Sequence, residues 1–489
     1  MEQNQHLAFY KNPAFILSLI LSVFFLKGVF LAVIFPIFKG QDESRHYNTI
    51  QYLTEPKEKT WEIFKDLEKP QDKERLETYN FSEEIRETVK SANLDASRME
   101  NFEKTSFSNS FSGANEEEIN SQKWQPYNKH YPPDILETQN FYHKIASQIE
   151  NAFSDQSILT RFYLIRIFSV LLGTLSILFS YLMIKKTGFS SKSSLVMAAI
   201  ISFQPRFSIY FSNINYDALL IFLFAVFSWA GISSLKEGLN WKNGGTLIAC
   251  VALGILTKGT AAVLLAMLVF LTIFHIYKTF KKTTDKRSLL IYISIFLFLT
   301  ISTAIIAFRE YDFFRGFSSL KGFSPLKIFD SLGNYLPKTT SIASASKNYW
   351  GDLGWTRYNI DNYLINAIWF FEFFSVIGLG FLFFSKKKPD FLPEKKYLIF
   401  LILIIIILQI VVRLHDWMIF NENGKILAGT PGRYFLPNLT AHIILVFSGI
   451  GMLLWKEKYF EKFLLGGLVL MFSFSIYQIF NVIIPRFYL

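Results

Sequence analysis

The sequence predicts an all-α polytopic membrane protein of about 11 transmembrane helices, with a large, partly helical loop after the first. Three observations predict it. The apolar residues of this 489-residue chain, 53 Phe among them, gather in blocks rather than spreading evenly. Those blocks run roughly 18–25 residues with few charges, long enough to cross a hydrocarbon core. Inside such a core only helices or closed barrels satisfy the backbone, and unbroken apolar runs without period-2 alternation select helices.

The first span runs roughly from Pro13 to Phe38 and lacks a small-residue cleavage site, so it reads as a retained helix rather than a signal peptide. A polar stretch over 39–157 follows and holds more than half of the 39 acidic residues. Later spans are expected to begin near Ile158, Ser194, Tyr216, Thr246, Thr260, Leu289, Asn362, Tyr397, Tyr434 and Phe463. The chain then divides into 1–38 (N-terminus and first helix), 39–157 (acidic loop), 158–308 (helices two to seven), 309–361 (a second loop) and 362–489 (helices eight to 11). The apolar stretch Thr246 to Thr257 is long enough only for a partial crossing, and Lys258 interrupts it. A short helix ending in a charge reads as lining a cavity.

The formal charge of +11 would suit a nucleic-acid binder, but the cations cluster in alternate short loops. Lys185, Lys186 and Lys192 lie in one such loop, Lys236 and Lys242 in the next, then Lys278 to Arg287, Lys386 to Lys396, and Lys456 to Lys462. This is the positive-inside pattern. It sets the N-terminus in the cytoplasm and puts the acidic loop, 309–361 and the turn near Asn421 to Arg433 outside, with membrane lipid and no nucleic acid as partner. The lone Cys250 excludes an intramolecular disulfide. Within the loop, Trp61, Phe64 and Leu67, then Ile85 and Val89, recur at helical spacing, whereas Thr105 to Gln122 reads as flexible.

Several constellations carry chemistry. In Asp42-Glu43-Ser44-Arg45-His46 a helix would place Asp42, Arg45 and His46 on one face, a carboxylate able to take a proton beside groups able to orient it. A polar membrane boundary would look the same. His130-Tyr131-Pro132-Pro133 is an extended turn. Asn215 and Asp217 lie at the mouth of a helix hairpin, where helix capping and substrate binding are both open. Cations stand at outward helix ends: Arg161, Arg166, Arg206, Lys258, Arg413 and Arg433. Such cations could hold a phosphate or snorkel to headgroups; Arg161 reads as snorkelling, and Lys258 and Arg433, flanked by small residues, as buried and functional. Tyr349-Trp350-Gly351 through Gly354-Trp355 reads as a tight external turn with exposed rings, and His415-Asp416 as a polar turn. No metal signature is present and no required cofactor is evident, and the use of a divalent metal stays open.

The order of these motifs resembles a bacterial family of polytopic membrane proteins grouped with the GT-C glycosyltransferases. Pro36, Asp42, Glu43 and His46 match its Asp-Glu-x-x-His, and His130, Pro132 and Pro133 its His-x-Pro-Pro. The run RIFSVLLG from Arg166, Pro205, the Asn215/Asp217 pair, Leu256-Thr257-Lys258, the Tyr349–Trp355 segment and Gly432-Arg433-Tyr434 through Pro437 match in order. Where the family continues His-x-Pro-Pro with Leu-Tyr-Tyr, this chain has Asp134-Ile135-Leu136 and an aromatic pair only at Phe141-Tyr142. A more distant resemblance is to protein O-mannosyltransferases and aminoarabinose transferases.

The resemblance implies a GT-C-like fold and transfer of a sugar from a polyprenyl-phosphate donor to an outer glycan, lipid or protein acceptor, with inversion. It implies Asp42 as base with Glu43 in support. It also implies that Arg45, His46, His130, Arg166, Asn215, Asp217, Lys258, Trp350, Arg433 and Tyr434 bind substrate. A transporter or flippase of a lipid-linked glycan, or a non-catalytic envelope-assembly protein, is the alternative; the sequence shows no internal repeat of the kind transporters carry.

Overall fold

The structure, a computed structural model, describes residues 12–54, 140–280, 325–351, 362–426 and 429–485, with 82, 84, 85, 88, 119–121, 297 and 301 besides. Every regular element among them is helical. Eight helices are long and apolar enough to cross a membrane, or nine if one bent pair counts as a span.

α1 (Pro13–Ile34) starts where Asn12 accepts from the Ala14 N–H and proline occupies the first turn. Two short amphipathic helices, α2 (Glu43–Thr54) and α3 (Phe141–Ala152), pack on each other beside the bundle. α4 (Ile158–Thr187) is capped by Ser157 and ends on Lys185 and Lys186, cations that suit a helix C-terminus. α5 (Ser191–Phe203) and α6 (Pro205–Phe211) form the bent pair, turned by 65° where Gln204 ends one helix and Pro205 begins the next.

α7 (Asp217–Glu237) is buried along most of its length against α4. α8 (Trp241–Ile255) opens with a capping box between Asn240 and Asn243. A 3₁₀ turn (Gly259–Ala261) leads into α9 (Ala262–Phe280). Beyond come α10 (Pro325–Tyr335), α11 (Ile342–Trp350), α12 (Asn362–Phe384), α13 (Lys395–Asn423), a second 3₁₀ turn (Gly432–Asn438), α14 (Leu439–Leu454) and α15 (Glu457–Gln478).

The core runs between α4, α7, α5, α13 and α14. α1 and α12 lie at the rim, exposing Leu26 and Phe30 and, on α12, Phe370 and Phe373, as lipid-facing helices do. α12 meets α14 at Gly378 and Gly449, where a Cβ on either glycine would stand 2.0 Å from a backbone oxygen of the other helix. Small residues at a crossing permit that approach. Among the described residues, basic loops meet at one end, where Lys186 pairs with Glu237 and Lys192 reaches Glu461 at 2.8 Å.

The structure corrects several expectations. Among the described residues eight or nine of the expected spans are present, and α8, with 15 residues, rises only about 22 Å, as a partial crossing does. The span expected from Leu289 lies outside the described residues, as do Trp61, Phe64, Leu67, Val89, His130 and most of 105–122. Tyr349 and Trp350 are not exposed turn residues: they end α11 and are buried. His415-Asp416 is no turn but part of α13, where buried Asp416 accepts from the hydroxyls of Tyr335 at 2.8 Å and Thr339 at 3.0 Å. Arg161 does not snorkel. It is fully buried between Glu84 and Glu150.

Candidate active site

At the end of the bundle opposite the basic loops, the chain leaves α1 through Pro36 to Gly40 and enters α2 at Glu43. Glu43 is fully buried, and its carboxylate accepts from Arg166 Nε at 2.8 Å and Nη2 at 2.6 Å, a two-pronged charge-assisted pair. It also accepts from the backbone N–H of Gly40 and of Ile214, both at 2.9 Å. Arg166 spends its remaining donors on the carbonyls of Ala32, Phe35 and Pro36. The two residues thus lock the end of α1, the start of α2 and the α6–α7 turn onto α4.

Asp42 stands one residue earlier and differs in every respect. It is exposed, and its backbone is left-handed at φ 54°. That conformation costs a non-glycine residue on the order of 1 kcal/mol, and such strain gathers at functional sites. Its carbonyl accepts the first bond of α2, from the His46 N–H at 3.0 Å. Arg45 is exposed one turn on.

His46 points inward, and its Nδ1 lies 3.0 Å from Nε2 of His143 on α3. Burial pushes the His46 imidazole down to about 3, with the charges of Lys258 and Arg45 adding to the effect. Burial, and then His46 itself, holds His143 well below the usual histidine range. Both rings are therefore neutral and share one hydrogen between the facing nitrogens. The edge of the Tyr216 ring meets His46 at 4.8 Å.

Tyr216 leads to the second group. Asn215 accepts from the Asp217 N–H at 2.7 Å, an Asx turn that starts α7. The Asp217 carboxylate faces Lys258, with Nζ 2.8 and 3.0 Å from its two oxygens, and also accepts from the Tyr210 hydroxyl at 3.0 Å. Lys258 sits in the extended link after α8, its ammonium 4.8 Å from the Tyr216 ring centre and 4.5 Å from that of Tyr434. Arg433 lies over Tyr434 at 4.9 Å. Its backbone N–H donates to Asn348 at 2.9 Å, whereas among the described residues its guanidinium has a 3.5 Å contact with the Tyr434 hydroxyl and no carboxylate partner. The charge of Asp42 acts on both Arg433 and Tyr216.

Asp42, His46, Asn215, Asp217, Lys258, Arg433 and Tyr434 therefore gather at one end of the bundle. Glu43 and Arg166 stand beside them as a mutual pair, and Trp350 lines a separate pocket with Glu372, Arg413 and His442. His143, Tyr210 and Tyr216 went unselected in the sequence. Tyr216 was visible beside Asp217, and His143 directly follows the Phe141-Tyr142 pair, whose Tyr142 hydroxyl meets Ser169 at 2.8 Å.

Beside the site, Arg161 joins Glu84 and Glu150, and Tyr47 donates to Glu150 at 3.0 Å. Burial raises the Glu84 carboxyl to about 7 against the pull of Arg161, and it raises Glu150 too. Two carboxylates around one cation favour keeping a proton.

A family model described as "Predicted membrane protein (DUF2142)" matches residues 24–441. No curated protein matches the chain. Among solved structures, the apo oligosaccharyltransferase of Archaeoglobus fulgidus is similar at 11% identity and TM-score 0.41, over 96% of this chain and 55% of that one. The same organism's oligosaccharyltransferase AglB, in complex with an inhibitory peptide and a dolichol-phosphate, is similar at 12% identity and TM-score 0.38, over 75% of this chain and 49% of that one. The chain thus spans about half the length of the solved structures it matches.

Proposed function

The chain belongs to the DUF2142 family of predicted membrane proteins, and we propose that it is a GT-C-like membrane glycosyltransferase acting on a polyprenyl-phosphate-linked sugar. One observation carries the reading: an exposed, strained carboxylate, Asp42, stands within electrostatic reach of a cation, Arg433, whose guanidinium contact among the described residues is a long one to a neutral hydroxyl. Phosphoryl leaving groups need such a cation, and a hydroxyl acceptor needs such a base.

In the proposed reaction Asp42 takes the proton from an acceptor hydroxyl. The freed oxygen attacks the anomeric carbon, the bond to the phosphate oxygen breaks with inversion, and polyprenyl phosphate leaves against Arg433. Lys258, whose charge is already balanced by Asp217, holds Tyr434 and Tyr216 in place and lends a second positive field. Glu43 acts through position alone, because Arg166 occupies it. The proposed setting is the inner membrane of a bacterium, with the N-terminus inside and the site outside, supported by the basic loops meeting at the opposite end.

The test is paired. Asp42→Asn, expressed at the normal level, is expected to lower transfer by about 10²–10⁴-fold, read as loss of the glycan product from the envelope. Arg433→Ala is expected to weaken binding of a short-chain polyprenyl phosphate by about tenfold or more. An unchanged glycan profile in Asp42→Asn would sink the catalytic reading, and unchanged affinity in Arg433→Ala would remove the phosphate role.

A further inference from the structure

A cavity of about 350 Å³ is lined by residues of α11, α12, α13 and α14 and by Phe435 and Asn438 of the Gly432–Asn438 turn. Its lining includes Tyr349, Trp350, Glu372, Gln409, Arg413 and His442. The size falls within the span of small-ligand sites, about 300–1,000 Å³.

Its polar groups form a chain. Glu372, on α12, places a carboxylate oxygen 3.3 Å from His442 Nε2 on α14. The other ring nitrogen, Nδ1, accepts from the Tyr349 hydroxyl at 3.1 Å. The imidazole also packs against the rings of Tyr349 and Trp350, at 5.5 and 5.8 Å between centres. Arg413 enters from α13, and its contacts among the described residues are long and to neutral groups: Gln409 Oε1 at 3.4 Å and Thr430 Oγ1 at 3.5 Å. Glu372 and His442 each keep 27% of their side-chain surface accessible, so neither is sealed by packing.

Apolar residues would pack the three spans α12, α13 and α14 and the short α11 at lower desolvation cost than these ionisable ones do. Ionisable side chains at this depth face cavities and pathways, and they mark sites. The chemistry of the lining narrows the ligand. A carboxylate accepts from hydroxyls, and a side-chain amide both accepts from and donates to them. A carboxylate opposite the guanidinium opposes a bare phosphate.

We propose that this cavity is a second ligand site, taking the polyhydroxylated head of a carbohydrate-bearing amphiphile. Glu372, Gln409 and Arg413 hydrogen-bond the head, His442 orients Glu372, and the buried rings of Trp350 and Tyr349 hold His442 from behind. The inference goes beyond the transferase reading, and its test needs no turnover.

The full chain, reconstituted in lipid nanodiscs free of glycolipid, is titrated with a short-chain alkyl disaccharide below its micelle concentration and followed by saturation-transfer NMR and calorimetry. Saturable binding is expected, weakened about tenfold or more by Glu372→Gln. Gln409→Trp, which fills the cavity, is expected to abolish binding without lowering the unfolding temperature; it carries the test if Glu372→Gln does not fold. Asp42→Asn should leave the binding unchanged, so this site and the transferase site fail separately. Undiminished disaccharide binding in Gln409→Trp, or preference for an alkyl phosphate over the disaccharide in the wild type, overturns the proposal.

Discussion

Asp42 and Glu43 are adjacent carboxylates with opposite fates. The positive φ at Asp42 turns its side chain away from the helix that Glu43 begins, leaving one exposed and the other fully buried. Glu43 and Arg166 are a buried pair whose remaining lone pairs and protons are all bonded to backbone. Removing one member strands the other charge, a loss of about 3–5 kcal/mol in measured cases, whereas replacing both with apolar residues of similar volume is often near neutral. Arg166→Met is therefore expected to destabilise the protein by that amount, and Glu43→Met with Arg166→Met to recover much of it, as read from unfolding temperatures in detergent. The sequence marked both residues as notable but not as partners. Their partnership depends on a contact 123 residues apart in the chain, which no local pattern encodes. Arg161 was misread for the same reason: its carboxylates come from 77 residues before and 11 before.

The helices were the legible part, because apolar length is written locally. The 15 residues of α8 already looked too short to cross, and Pro205 stands where α5 and α6 part. What the sequence could not reveal was how the ends of helices close on each other, and the Gly432–Asn438 turn shows why. A Cβ at Gly432 would lie 1.8 Å from the Ala345 oxygen and 2.4 Å from the Tyr349 nitrogen, so the turn rests directly on the backbone of α11. That approach sets Arg433 and Tyr434 near Lys258, while Trp350 lines the neighbouring pocket. Because both obstacles are backbone, Gly432→Ala is expected to cost roughly 1–3 kcal/mol or more. Gly466→Ala, in the middle of α15 with open space around it, is expected to be neutral or to stabilise by up to about 1 kcal/mol. Thermal unfolding of the two variants side by side checks the contrast.

Across the whole molecule, two buried groups outside the spans pull stability in opposite directions with pH. His46 has its folded-state value pushed down from 6.5 to about 3, so the unfolded chain binds the proton more readily; its contribution is complete above 6.5 and lost as pH falls. Glu84 has its value raised from 4.5 to about 7, so its contribution is complete below 4.5 and lost as pH rises through about 7. The two windows overlap, so from these two groups stability is expected to level off between about pH 4.5 and 6.5, where the opposing slopes cancel, and to fall on either side. Glu84→Gln removes the second carboxylate around Arg161 and should hold stability above pH 7 while leaving the acid limb in place. Unfolding temperatures measured from about pH 4 to about pH 9 for both proteins test this, and parallel profiles would refute it. The Glu43–Arg166 pair has a consequence in time as well. A growing chain emerges at roughly 5–20 residues per second, so Glu43 waits about 6–25 seconds for Arg166. During that interval the first span has a carboxylate at its margin and no guanidinium to receive it. Docking of α1 is thereby deferred until α4 arrives, and the order of synthesis becomes the order of assembly.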